Sequence, residues 1–354
     1  MNKVRDYFSY YLLTYFQTDK EVSISQVLHT LRGKKTPSMY YLTEINQWHH
    51  GFSIAKRIEE KDIKNIVEAA YQEKWLRKKE KGFLLTPLGK EIIEEYFESH
   101  YYPEFIHSFN NIDVYGAFWE RLQLFSQVFS EYSYYNMNYT AVIKNPQHQE
   151  KIRLLFQTSL RNKSSALKDW TTEQYFIFEK LPEEKANLLA NSLTGHEVIG
   201  KTRNQLADEF KMEKNELNFY LRDSLAEIIQ LIQKYPNNLV ITNKLLENTQ
   251  KDYYFSMSES TYRTFEMLKN GKEISEIARF RRIKKNTVKE HLLEIAFVLD
   301  RFPTKAFVPK EIYGFLSKRF QERPFYSYRE AVTDLKNLEF YHYRLVELER
   351  MRED

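Results

Sequence analysis

Apolar residues recur at helical spacing along most of the chain, and the places where that period breaks locate the other elements. Asn2 to Phe16 is an apolar, Tyr-rich stretch of helical character. From Ile24 to Arg32, the residues Val27, Leu28 and Leu31 share one face, and Gly33 supplies the stop. Met39 to Trp48 continues the helical pattern, and Asp62 to Trp75 places Ile63, Ile66, Val67 and Ala70 on one side. The period then changes. Leu76 to Lys79 and Phe83 to Thr86 are short extended runs around Glu80, Lys81 and Gly82, which predicts a β-hairpin, and Pro87 to Glu91 opens another helix. Helix, hairpin, helix is the order of a winged helix.

The remainder is helical. Leu181 to Glu184 begins a helix, and Gln205 to Phe210, a turn, and Asn215 to Leu221 make a helix-turn-helix. Ala207, Met212, Leu217 and Leu221 supply the small and apolar side chains its tight packing needs. Its reading face carries Glu213 and Glu216 beside Lys214 and Arg222, and opposed charges cancel most attraction to phosphate. A structural or protein-binding role fits that face better than DNA contact. Pro236 to Asn238 and the polar stretch Glu247 to Asp252 mark the next boundary. A further helix-turn-helix follows: Ser260 to Leu268, the stop at Asn270 and Gly271, Ile274 to Phe280, and Lys285 to Leu292. Ala278, Ile283, Val288 and Leu292 occupy its packing positions, while Arg282 stands where glycine is commonest, so the turn needs a strained backbone or a longer connection. Tyr328 to Glu347 reads as a closing helix, with Leu335, Leu338, Tyr341, Leu345 and Leu348 at helical spacing.

The expected fold is therefore mainly α. It comprises an N-terminal winged helix with one short β-hairpin (residues 1–100), a helical middle with its own helix-turn-helix (101–248) and a C-terminal helix-turn-helix domain (249–354). A fragment of about 253–354 carries its own apolar helix faces and is expected to fold alone.

Composition changes this picture little. Hydrophobic residues are 42% and charged residues 29% of the chain, enough for packed cores. The 26 Tyr and 25 Phe are unusual, and filling helix interfaces explains them more simply than base stacking does. The net charge is +4, with mildly basic ends and a mildly acidic middle, which permits nucleic-acid binding without demanding it. Absence of cysteine removes disulfides and thiolate zinc sites and fits a reducing cytoplasm. No apolar run approaches the ~20 residues of a membrane span, and the N-terminal stretch lacks the small-residue cleavage site of a signal peptide.

Catalytic motifs are missing. Gly33-Lys34-Lys35-Thr36 lacks the upstream glycine of a phosphate-cradling loop, so no helicase motor is expected. Neither a Gly-x-Ser-x-Gly elbow nor a His-Glu-x-x-His pair occurs. His49 and His50 are adjacent, so their side chains diverge and a tetrahedral site would need further ligands. The sequence predicts no enzyme, no metal site, no cofactor and no small-molecule substrate.

The candidate binding residues lie in two clusters. Arg279, Arg281, Arg282, Lys284, Lys285 and Lys289 are six cations in eleven positions with no acid between them, flanking the turn and the start of the second helix. A helix N-terminus already attracts phosphate through its free N–H groups and dipole. Asn286, Thr287 and His291 add side chains able to hydrogen-bond bases or phosphates. A solvated basic face and a patch for an acidic protein are the alternatives to DNA contact. The second cluster is the wing: Arg77, Lys78, Lys79 and Lys81 sit at a hairpin tip of the kind that touches phosphate, with Trp75 and Phe83 as anchors. No aromatic stands at the tip, which argues against wedging strands apart.

Specific resemblances accompany these elements. Val27 to Gly33, the stretch through Trp48, His49, His50 and Gly51, then Trp75, Leu76 and Leu85 to Gly89 resemble the RQC domain of RecQ-type helicases, a winged helix that grips duplex DNA. The zinc-binding part that precedes it in helicases is missing. The middle helix-turn-helix resembles sigma-factor region 4. The C-terminal region resembles the helicase-associated helix-turn-helix domain at the end of RecQ-type helicases, most strongly over 258–297. The combination is similar to the YpbB family, small bacterial proteins usually encoded next to a RecQ-type helicase. The resemblance implies a DNA-binding accessory in DNA repair or fork processing, cytoplasmic and associated with the nucleoid, with a RecQ-type helicase and duplex or forked DNA as partners. A helix-turn-helix transcriptional regulator is the alternative, and a scaffold that binds only protein is a third class.

Overall fold

The computed structural model describes residues 6–159, 163–323 and 325–353. Its elements are helices α1 (Tyr7–Leu13), α2 (Ile24–Arg32), α3 (Pro37–Ile45) and α4 (Glu60–Gln72), strands β1 (Leu76–Lys78) and β2 (Phe83–Leu85), then α5 (Pro87–Ser99). There follow α6 (Tyr115–Ser133), α7 (Pro146–Ser159), α8 (Lys163–Lys180), α9 (Glu183–Asn191), α10 (Arg203–Glu209), α11 (Lys214–Lys234) and α12 (Val240–Asp252). The chain closes with α13 (Glu259–Lys269), α14 (Ile274–Arg281), α15 (Lys285–Val298), α16 (Lys310–Glu322), α17 (Tyr328–Asp334) and α18 (Phe340–Met351). The protein is mainly α, with one hairpin among the described residues.

Two compact units form. The first takes residues 1–33, 46–107 and 111–253, and the second takes 34–45, 108–110 and 254–354. In the first, α2, α4, the hairpin and α5 follow the winged-helix order. Ser23 opens α2 with a reciprocal capping box to Gln26, and Gly33 closes it in the left-handed region at φ 71°. The hairpin is antiparallel, Leu76 opposite Leu85 and Lys78 opposite Phe83, and Val22 bridges the outer side of Phe83. A Cβ on Gly82 would stand 2.3 Å from Val22 O, so only glycine lets the turn pass the backbone at Val22. Helix α11 runs through this unit and buries Leu217, Phe219, Leu221, Ile228, Ile229 and Ile232, each worth roughly 1.5–3 kcal/mol relative to exposure. The tyrosines are used as filling: Tyr7, Tyr11 and Tyr15 are fully buried. Buried Glu173 of α8 accepts from Ile241 N and Thr242 N, both at 2.8 Å, supplying the cap that α12 lacks on its own segment.

The polar stretch Glu247 to Asp252 is the second half of α12, with Thr249 and Gln250 buried, and the first unit ends directly after it at Tyr253. Its polarity serves contacts: Thr249 Oγ1 accepts from Arg121 Nη1 at 3.2 Å, and Gln250 Nε2 donates to Asn111 Oδ1 at 2.8 Å.

In the second unit, α13 and α14 pack on α15, and α15 packs on α18 and α3. Tyr40 of α3 stands edge-on to Phe109 at 4.7 Å and lies parallel to Phe297 of α15 at 5.9 Å. Arg352 closes the C-terminus of α15: it donates to Ala296 O at 2.9 Å and Leu299 O at 2.8 Å, and pairs with Glu44 of α3 at 3.0 Å. The closing helix expected over Tyr328 to Glu347 is two helices. The chain breaks between α17 and α18, where Asn337 takes φ 67°, a conformation Asn tolerates and a helix does not.

Candidate nucleic-acid interface

The C-terminal helix-turn-helix is α13, α14 and α15. Ile277, Ala278 and Val288 form its buried centre, with Met267, Leu268, Ile274 and Ile283 packed around them. Glu273 and Glu276 make a capping box that closes the N-terminus of α14. The turn is tight rather than lengthened: Arg282 sits at φ 54° and ψ 43°, and Ile283 N returns to Ala278 O at 3.0 Å. Lys284 is the N-cap of α15, and its side chain makes no capping bond. Its first N–H groups are thus left for solvent or an anion.

The nine candidate residues divide by what they touch. Arg279, Arg282, Lys284, Lys285 and Asn286 are exposed, and these four cations make no ion pair with any described residue. Thr287 is half-buried. The other three are engaged within the unit. Arg281 donates through Nη1 to Thr264 Oγ1 and to Ser260 O (2.8 Å), and through Nη2 to Ser260 Oγ (2.9 Å), tying α14 to α13. His291 Nδ1 lies 2.8 Å from Thr264 Oγ1 and 3.4 Å from Arg281 Nη1. Burial and, after it, the Arg281 charge hold this imidazole down to about 4, so it is neutral and Nδ1 accepts. Lys289 pairs with Glu339 and stands 5.1 Å from the centre of the Tyr341 ring.

An open groove of about 580 Å³ adjoins the exposed cations, lined among others by Lys272, Ser275, Lys285, Phe307 and Tyr341. Lys272 and Phe307 lie outside both candidate clusters. Lys272 had a signal, a cation directly before the first helix of the motif; Phe307 reaches the site only through tertiary folding.

The middle helix-turn-helix, α10 and α11, has the same turn and a different surface. Glu213 is the N-cap of its second helix, in a capping box with Glu216. Glu213 accepts Tyr7 N at 3.1 Å, Glu216 accepts Tyr101 N at 2.8 Å, and Phe219 lies 4.1 Å from the Tyr11 ring. The face that would enter a groove is covered by α1 and by the segment after α5.

The wing is open. Arg77, Lys78, Lys79 and Lys81 are exposed and make no ion pair with described residues. Trp75 packs 6.0 Å from Tyr10 and Phe83 lies 6.3 Å from Phe16, anchoring the hairpin. His50 lies between Tyr11 Oη and Tyr102 Oη, and burial, then the His49 and Arg222 charges, push it down to about 3. Among the described residues no cluster of His, Asp and Glu could hold a metal ion, and no helix is long and apolar enough to cross a membrane.

Comparison with known proteins agrees with this geometry. A family described as a helix-turn-helix domain matches residues 260–347, spanning α13 to α18. The chain is also similar to Protein YpbB of Bacillus subtilis (strain 168), 24% identical over 295 residues that cover 82% of each chain. The resemblance to the YpbB family holds. No solved structure matches significantly. A helix-turn-helix domain with free cations around its second helix points to DNA binding.

Proposed function

We propose that this chain is a non-catalytic DNA-binding accessory protein of a RecQ-type DNA helicase, lending winged-helix and helix-turn-helix modules to a motor carried on another chain during DNA repair or fork processing. One observation carries the DNA-binding part: α15 opens without a side-chain cap on Lys284, Lys285 and Asn286, all exposed, beside exposed Arg279 and Arg282. Unfilled N–H groups, the helix dipole and four unpaired cations at one helix end favour a phosphate backbone, with Asn286 placed to reach base edges. The exposed wing cations Arg77, Lys78, Lys79 and Lys81 supply a second phosphate contact. The helicase partnership rests on the RQC-like residues of the winged helix and on the helicase-associated character of the C-terminal domain. Duplex or forked DNA is the ligand, the nucleoid the site of action.

Purified full-length chain and the RecQ-type helicase of the same cell test this directly. The chain should bind the helicase and increase its unwinding of forked DNA without hydrolysing ATP itself. Preference for a palindromic duplex, with no helicase binding, would assign it to transcriptional regulation instead.

A further inference from the structure

The groove beside α15 differs in kind from the exposed cations it adjoins. It is concave, about 580 Å³, within the size range of small-ligand sites, and its walls combine cations with aromatic rings. Lys272 and Lys285 bring charge from either side of α14, and neither makes an ion pair with a described residue. One acid, Glu273, lines the groove too, its carboxylate accepting Glu276 N in the α14 cap, while Glu339 holds Lys289. Phe307 and Tyr341 also line it, Phe307 stacked on Phe302 at 5.2 Å and Tyr341 carrying the Lys289 ammonium over one face of its ring. A paired base keeps its faces inside the duplex stack and cannot reach a ring in a concavity, whereas an unpaired base can stack there and place its phosphate on the lysines.

We infer that this groove binds one unpaired nucleotide at the edge of a duplex, its base against Tyr341 and Phe307 and its phosphate on Lys272 and Lys285. This rests on the DNA-binding reading above and narrows the ligand to a junction of double and single strand. It also gives the C-terminal domain a way to tell a fork from continuous duplex without reading sequence.

Binding of the full chain to a blunt duplex and to the same duplex with a short single-stranded tail is the test. The tail should tighten binding by about tenfold, the size of one base–aromatic stack. An abasic first tail nucleotide should abolish that gain, and 2-aminopurine there should lose fluorescence on binding. Tyr341→Leu should bring the tailed-to-blunt ratio to about one, and Tyr341→Phe should keep it near ten. The abasic and 2-aminopurine probes test the wild-type protein, so they stand even if the leucine variant does not fold. Equal binding of tailed and blunt duplex, with no fluorescence change, overturns the inference and leaves duplex binding intact. Failure to bind either DNA overturns the DNA-binding reading along with it.

Discussion

Arg282 and Lys211 stand at the same corner of the two helix-turn-helix units, each at φ 54° in the left-handed region. In each unit the residue after the corner returns its N–H to the alanine of the first helix, Ile283 to Ala278 at 3.0 Å and Met212 to Ala207 at 2.9 Å. A side chain there costs roughly 1–2 kcal/mol that glycine avoids, partly offset by glycine's freedom in the unfolded chain. Arg282→Gly should therefore raise stability by about 0.5–1 kcal/mol in chemical denaturation while weakening DNA binding. A stability loss would show that the Arg282 side chain supports the fold.

Arg281 and Arg279 lie in one basic run, but Arg281 is tied to α13 while Arg279 is exposed. Arg281→Met removes the donor to Ser260 and Thr264 and should cost about 1–3 kcal/mol. Arg279→Ala, at an exposed position, should stay within about 0.5 kcal/mol. Comparing urea midpoints of the two variants separates the roles.

Acid should loosen the same knot. His291 titrates near 4 in the folded chain, below the ordinary 6.5. Above pH 6.5 the group is neutral in both states and contributes its full stability; between 6.5 and about 4 only the unfolded chain takes the proton, so stability falls as pH falls. Thermal midpoints should be flat above that window and decline within it, and His291→Gln should shrink the decline. His50, lowered to about 3, leaves a residual slope. An NMR titration placing His291 near its ordinary value would contradict this.

The helix-turn-helix was legible because its signals are local: Ala278, Ile283, Val288 and Leu292 within one short stretch, and the hairpin likewise from Leu76 to Leu85. What escaped depends on partners far along the chain. In sequence Lys289 belongs to the basic run, yet Glu339 holds it, and Arg281 and His291 meet on Thr264. Membership of α3 in the C-terminal unit depends on Tyr40 meeting Phe297, a contact no periodicity announces.

That last contact changes an expectation. A fragment of 253–354 lacks Tyr40 and Glu44, and so loses the aromatic cover on Phe297 and the partner of Arg352. It should melt at lower temperature and less sharply than the same unit in the full chain, and bind a hydrophobic dye. A cooperative, dye-free transition at the full-length temperature would show that α3 is dispensable.

Whether the exposed cations around α15 meet phosphate is measured most directly by the salt dependence of duplex binding. Each phosphate contact contributes about 0.9 to the log–log slope, so Arg279, Arg282, Lys284 and Lys285 changed together to Ala should flatten it by about 3 to 4 and weaken binding to every sequence alike. A folded quadruple variant with unchanged affinity and slope would contradict the account and leave that surface to protein or solvent.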